Sequence, residues 1–331
     1  MSRPARRVAV VQGGPSTESE VSRASARGVA QALEQAGHQV VRLELDVYLP
    51  ESLRTGGYDV VFPVVHGAFG EDGALQGVLE VLGLPYVGSD VLASALAMHK
   101  RIARLLFERA ALPLARGIVL SRAGDAHQAA ERARREVGSR LVVKPSSHGS
   151  AIGVTRVDAA APLDQVAKAI DAVWAIDEYA VVEHFARGRE VTCGVLDVGQ
   201  PEALPPTEIF SPHDPFYTFE ARYAPGRSVH VCPADLPPTV LSRVQEIAVA
   251  AHQTLGCRDL SRVDFVVGDE EDPSALTLLE VNTLPGMTAT SLFPEAASRH
   301  GWPMPRWCDA LVAIAHRRGP ARHLEGLPLP K

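Results

Sequence analysis

The feature that most constrains this chain is an alternation in its first hundred residues. Residues 8–12 form an apolar run, Val8-Ala9-Val10-Val11-Gln12, that stops at Gly13-Gly14. Residues 17–35 begin polar and then take helical spacing. Residues 39–45 and 59–65 are β-rich, and 74–82 read as a short amphipathic helix. Strands alternating with helices make a parallel sheet, because each crossover returns the chain to the same end. Ligands bind in the crevice at the C-terminal edge of such sheets. The two loops expected there, 13–20 and 66–73, are polar and rich in glycine. We take residues 1–98 as one block.

Composition narrows the function. At 331 residues the chain has room for two domains or three small ones, and 46% hydrophobic with 22% charged residues is ordinary for a globular protein. The 33 basic and 39 acidic side chains leave a net charge of −6, which argues against nucleic acid or a membrane surface as partner. No apolar run reaches bilayer-crossing length. Arg3, Arg6 and Arg7 precede the first apolar run, but that run is too short for a signal-peptide core. The four cysteines, Cys193, Cys232, Cys257 and Cys308, are scattered without a Cys-x-x-Cys pair, so a cytoplasmic protein without disulfides or structural zinc is expected.

Two further blocks follow. Residues 99–183 open with a helix at 100–111. A strand at 141–144, a loop at 145–151 and a strand at 152–157 come next, then a helix near 163–176 and a strand at 179–183. Residues 184–317 carry strands at 190–197, 261–267 and 276–282, with helices at 239–255 and 307–317. Within them, 205–225 is rich in proline and aromatics and too long for a simple turn. Residues 318–331 read as a loose tail.

G-x-G-x-x-G, the P-loop, G-x-S-x-G and H-E-x-x-H are all absent, which argues against the common dinucleotide, P-loop, hydrolase and zincin chemistries. Other segments stand out. Val142-Val143-Lys144 runs into Pro145-Ser146-Ser147-His148-Gly149-Ser150-Ala151. Backbone N–H groups of such a loop can cradle phosphate oxygens beside the lysine. A plain β-hairpin with a lysine at its edge fits the same pattern. Glu280 and Asn282, two apart on a strand, share a face, and Asp264 on another strand can join them. Three oxygen donors suit a hard cation that also touches phosphates; a solvated polar strand face is the alternative. In Thr283-Leu284-Pro285-Gly286-Met287-Thr288, the glycine admits a close backbone approach, the geometry of an oxyanion hole, where one donor supplies about 3 kcal/mol. An ordinary turn reads the same way. Glu18 on the first sheet-edge loop suits a substrate ammonium group, and equally the first turn of the next helix. For His66 alone a structural hydrogen bond is the expectation.

Taken together and in order, these segments resemble the ATP-grasp ligases, and more narrowly the D-alanine–D-alanine ligases, over residues 7–317. The motifs that carry the resemblance are Gly13-Gly14-Pro15-Ser16-Thr17-Glu18, His66-Gly67 with Gly70-Glu71-Asp72-Gly73, Leu75-Gln76-Gly77, Gly83-Leu84-Pro85-Tyr86, Gly88-Ser89 and Met98-His99-Lys100. Lys144-Pro145-Ser146 with Gly149-Ser150, Arg262-Val263-Asp264, Glu280-Val281-Asn282-Thr283 and Pro285-Gly286-Met287-Thr288 complete them.

The resemblance implies an ATP-grasp fold, α/β with an α+β ATP-binding part: an N-terminal parallel-sheet domain (1–98), a small central domain (99–183) and a C-terminal domain (184–317). It implies that Lys100, Lys144 and the loop around Ser150 hold ATP phosphates, that Glu183, His184 and Phe185 meet the adenine, and that Glu190 meets the ribose. Asp264, Glu280 and Asn282 match the ligands of two Mg²⁺ or Mn²⁺ ions. Arg262 and the Gly286 backbone match stabilisers of the acyl phosphate and tetrahedral species. Glu18, supported by Ser150 and Tyr223, matches the site of the first D-alanine's ammonium, with His66 in the same substrate group. Arg222, Ser291 and Leu292 match the site of the second D-alanine's carboxylate. The implied reaction joins two D-alanines through an acyl phosphate, releasing ADP and phosphate, in the cytoplasm and for peptidoglycan precursors. A homodimer is implied as well.

Several positions depart from the family pattern: Ala151 where a second serine is common, His99 where aspartate is usual, Arg222 for lysine and His184 for lysine. Ala151 removes one hydroxyl near the phosphates. A relative making D-alanyl-D-lactate commonly has histidine at the place of Tyr223. A catalytically silent regulator on this scaffold would lose the metal ligands or phosphate lysines, and all are present.

Overall fold

The computed structural model describes residues 4–210, 228–268, 275–288 and 290–320. Three sheets organise them. The first is parallel, in the order β2 (Gln39–Glu44), β1 (Arg7–Gln12), β3 (Val60–Pro63). Alternate residues of β1 serve opposite faces. Val8 and Val10 join a core with Val29 and Leu33 of α1 (Ser19–Gln35) and Trp307 and Leu311 of the last helix, α10 (Met304–Arg318). Ala9 and Val11 join a second core with Leu49 and Leu53 of α2 (Leu49–Thr55) and Leu75 and Leu79 of α3 (Ala74–Val81). Burying each such leucine contributes about 1.5–3 kcal/mol. Both faces are covered, so β1 reads as an unbroken apolar run instead of an alternating one. Because β1 and β3 are neighbours, the loops leaving their C-terminal ends converge, as expected.

The second sheet is antiparallel, in the order β4 (Gly117–Ser121), β7 (Tyr179–His184), β5 (Leu141–Pro145), β6 (Thr155–Val157). α6 (Ala126–Glu136) and α7 (Leu163–Trp174) cover one face through Ala130, Ala133, Ile170 and Val173. The Asp125 carboxylate starts α6 by accepting the Gln128 N–H at 2.9 Å. The third sheet runs β11 (Val229–Val231), β10 (Thr207–Phe210), β8 (Arg189–Asp197), β12 (Leu260–Val267), β13 (Leu276–Asn282), with β9 (Pro201–Ala203) also on β8. One face packs on α8 (Pro238–Thr254), with α4 (Val91–Met98) and α5 (Lys100–Arg109) contributing Ala97 and Phe107. The short α9 (Leu292–Arg299) follows β13.

Some elements differ from the sequence expectation. The expected strand 152–157 is extended only over Thr155–Val157. Ahead of it Ser150 and Ala151 take left-handed φ of 51° and 57°, and Ile152 and Val154 donate back to Gly149 and Ala151, so the loop turns instead of extending. The helix α4 carries no sequence expectation. Its run Val-Leu-Ala-Ser-Ala-Leu-Ala-Met is apolar nearly all round and shows no amphipathic stripe. α10, from the end of the third block, closes the sheet of the first. Among the described residues no helix is long and apolar enough to cross a membrane.

Candidate active site

Two adjoining cavities meet at Lys100 and Glu280. The first is a cleft between the second and third sheets, about 1100 Å³ with its open mouth included. Lys100, Lys144, Glu183, His184, Phe185 and Glu190 all line it. Strand register explains the arrangement. Glu183 of β7 stands opposite Val142 of β5, so Lys144, two residues on, lies diagonal to it on the same face. The Lys144 ammonium sits 2.6 Å from Glu183, and Arg104 of α5 donates to the same carboxylate at 2.7 Å. Burial pushes the Glu183 carboxyl up, but the Lys144 ammonium and the Arg104 guanidinium outweigh it and hold it below the usual carboxylate range. The segment expected to be either phosphate loop or hairpin does form a hairpin, with β5 and β6 antiparallel around it. It is pinned from two sides. His99 Nδ1 lies 2.8 Å from Ser146 Oγ, and Ser147 donates to Asp177 through its N–H at 2.8 Å and its hydroxyl at 2.7 Å. Burial and the neighbouring Arg101 lower the His99 pKa, so the histidine standing in place of aspartate is neutral at pH 7.

Between the cavities, β12 and β13 present one polar face. Asp264 pairs with Glu280 and Arg262 with Asn282 in the ladder, and a bulge at Leu279 shifts the register by one residue beyond them. Arg262 grips Asp264 through two bonds of 2.8 Å, Asn282 donates to Asp264 at 3.2 Å, and Lys100 lies 3.2 Å from Glu280. Among the described residues no group of three or more His, Cys, Asp or Glu is placed to hold a metal ion. The donor set is two carboxylates and an amide, all hard oxygens on one face at the junction of the two cavities. That chemistry fits a divalent cation of the Mg²⁺ class. The chain's own Arg262 and Lys100 balance the same two carboxylates.

The second cavity is lined by Glu18, His66, Glu71, Ser150, Arg262 and Gly286, among others. Glu18 is at the N-cap of α1 but makes no capping bond there. It is buried and accepts the Ser150 hydroxyl at 2.5 Å. Ser150, at a left-handed φ, lines this cavity and not the first cleft. His66 makes the expected structural bonds and also lines the cavity: Nδ1 lies 3.0 Å from the Leu284 carbonyl and Nε2 3.2 Å from Ser25 Oγ. A carbonyl only accepts, so Nδ1 carries the proton. Burial lowers the His66 pKa, consistent with a neutral ring. Glu71 is a residue the sequence reading quoted in a motif without giving it a role. It accepts the Gly67 N–H at 2.6 Å, and burial, reinforced by nearby Glu18, pushes its pKa up to about 8. Its position between glycines in a sheet-edge loop was the available signal.

A third cavity of about 1120 Å³, open space included, continues from Arg262, His66 and Gly286 to Ser291 and Leu292. Ser291 Oγ accepts the Thr288 N–H at 3.0 Å, and a side chain on Gly286 would come within 2.8 Å of that oxygen. Arg222, Tyr223 and most of the proline-rich 205–225 stretch, like the 321–331 tail, lie outside the described residues.

Known proteins resemble this chain over nearly its whole length. The family models described as D-ala D-ala ligase N-terminus and C-terminus match residues 47–89 and 106–313. The D-alanine–D-alanine ligase of Desulforamulus reducens is 42% identical over 94% of this chain and 99% of its own length. That of Acidiphilium cryptum is 43% identical over 94% of this chain and 98% of its own. Among solved structures, the Bacillus anthracis ligase complexed with ATP has a TM-score of 0.78 at 28% identity, covering 95% of this chain and 98% of that one. The VanG D-Ala:D-Ser ligase of Enterococcus faecalis has a TM-score of 0.80 at 27% identity, covering 94% of this chain and 100% of that one. The three-sheet arrangement is therefore the ATP-grasp fold expected from the motifs. The chain belongs to the D-alanine–D-alanine ligase family.

Proposed function

We propose that this enzyme uses ATP to join two D-alanine molecules into D-alanyl-D-alanine for peptidoglycan precursors, in the cytoplasm, as a homodimer. The observation that carries the reading is the junction itself: a cleft that holds both Lys100 and Lys144 and an acid-lined cavity share Lys100 and Glu280 as a common wall. ATP occupies the cleft, its base at Glu183, His184 and Phe185, its ribose near Glu190 and its phosphates at Lys144 and Lys100. The first D-alanine occupies the second cavity, its ammonium on Glu18, which Ser150 orients. Its carboxylate oxygen attacks the γ-phosphorus, the bond to ADP breaks, and an acyl phosphate forms. The second D-alanine, in the third cavity beside Ser291 and Leu292, loses an ammonium proton. Its amine attacks the acyl carbon, a C–N bond forms and phosphate leaves. Arg262 and the Gly286 backbone face the charge that develops on the acyl oxygen, where losing one donor costs about a hundredfold or more in rate. Asp264, Glu280 and Asn282 would hold two Mg²⁺ or Mn²⁺ ions, which neutralise phosphate charge when bound. The residues' main tasks are positioning and charge complementarity.

Phosphate release measured across D- and L-alanine, D-serine and D-lactate, with chromatography of products, tests the proposal. D-alanyl-D-alanine as the major product is expected. Dominant depsipeptide, or turnover with L-alanine alone, would overturn it. Sedimentation checks the dimer.

A further inference from the structure

Arg104 lies behind the nucleotide cleft and does not line it. Its guanidinium is nonetheless fully engaged there. It donates to Glu183 at 2.7 Å and to the Ala115 carbonyl at 2.5 Å, and its Nε lies 3.0 Å from Glu108. The other Glu183 oxygen is held by Lys144 at 2.6 Å. Space for this crossing is reserved by Gly117, which faces Glu183 across the β4–β7 ladder. A side chain there would come within 2.8 Å of Glu183 and 3.2 Å of the Arg104 guanidinium carbon. A buried carboxylate with two cations is a deliberate arrangement, because removing one partner leaves charge uncompensated.

We infer that Arg104 is the positioning residue that keeps Glu183 an ionised, accept-only group once Lys144 turns to the phosphates, and that it thereby makes the enzyme choose adenine. The inference rests on the reading that ATP fills this cleft with its base at the hinge. A purine 6-amino group donates hydrogen bonds and a 6-oxo group only accepts them. An ionised Glu183 therefore takes the first and rejects the second, leaving a buried acceptor facing an acceptor. With Lys144 engaged elsewhere, Arg104 is the cation left on Glu183. Without it, a carboxyl this buried takes up a proton and becomes a donor as well. The groups facing Glu183 are Lys144 from β5 and Arg104 from α5; the segment at β4 offers only the Ala115 carbonyl and Gly117. Lys100, Glu190, Asp264 and Glu280 line the same cleft.

The test is steady-state ligation with ATP and with inosine triphosphate, which differs in carrying a 6-oxo group, from about pH 6 to about pH 9. The parent should prefer ATP with a preference that is flat in pH. Arg104→Met should raise KM for ATP about tenfold, with the loss mostly in KM. Its preference for ATP should fall and become pH-dependent, weakest at the acidic end where Glu183 is protonated. Arg104→Lys should restore the flat profile. Should Arg104→Met fail to fold, Arg104→Gln keeps a donor without the charge and carries the same expectation. Glu183→Gln separates the two ideas. If it leaves KM for both nucleotides unchanged, the base lies elsewhere and the cleft assignment falls. If it erases the preference while the Arg104 variants keep the parent's flat profile, the cleft stands and the role of Arg104 is overturned.

Discussion

The cleft between the second and third sheets and the cavity beside it each bury a glutamate, and the two respond in opposite directions. Glu183 is held below the usual carboxylate range between Lys144 and Arg104, whereas Glu71 is pushed up to about 8 beside Glu18. Burial is common to both, so the sign of the shift is set by the neighbours. In the first region Lys144 and Arg104 offset Glu183, and Lys100 offsets Glu280. The other carries clustered acids, a neutral His66 and an Arg262 already committed to Asp264, and suits an ammonium group.

The largest effect is expected at the shared wall. Glu280→Gln removes a carboxylate from both regions and from the metal donor set, and should lower ligation by at least about a thousandfold. Circular dichroism should show an unchanged fold, and excess chelator should silence the parent. Full activity in either case breaks the assignment of this wall. The next effect sharpens the contrast between the two regions. Lys144→Ala should weaken a non-hydrolysable ATP analogue by about tenfold to a hundredfold in calorimetry, while leaving D-alanine binding nearly alone. Ser150→Ala should do the reverse, raising KM for the first D-alanine because Glu18 loses its orienting donor. If both variants lose the same ligand, the two regions are not functionally separate.

The smallest effect concerns Glu71. A carboxyl whose folded pKa is raised binds its proton more tightly folded than unfolded, so stability falls as pH rises from about 4.5 to about 8. Glu71→Gln removes that slope. Melting temperatures of parent and variant should agree near pH 4.5, and the variant should be more stable by a few °C, as an order of magnitude, near pH 8. Parallel curves would mean that Glu71 is ionised throughout.

The first cleft was far more legible in the sequence than the cavity around Glu18. Lys144, Glu183 and Glu280 stand on strands, where a two-residue period states which side chains share a face, and all three line the cleft. Glu71 and the orientation of Ser150 depend on loops. There, backbone turns such as the left-handed Ser150-Ala151 pair decide direction, and no periodicity reports them. Arg104 was invisible for another reason: it acts from a helix through Glu183, across a glycine whose missing side chain makes the contact possible.

By itself, the order of apolar runs and glycine loops determined the parallel first sheet and the shared face of Asp264, Glu280 and Asn282, because each depends on local period or short spacing. Only the tertiary structure decided that α10 closes the first sheet, that Glu71 and Glu18 share a cavity, and that Arg104 and Lys144 divide one carboxylate. Those outcomes join residues far apart in the chain. Burial and charge then set each group's protonation, and both are properties of the neighbours that folding brings together.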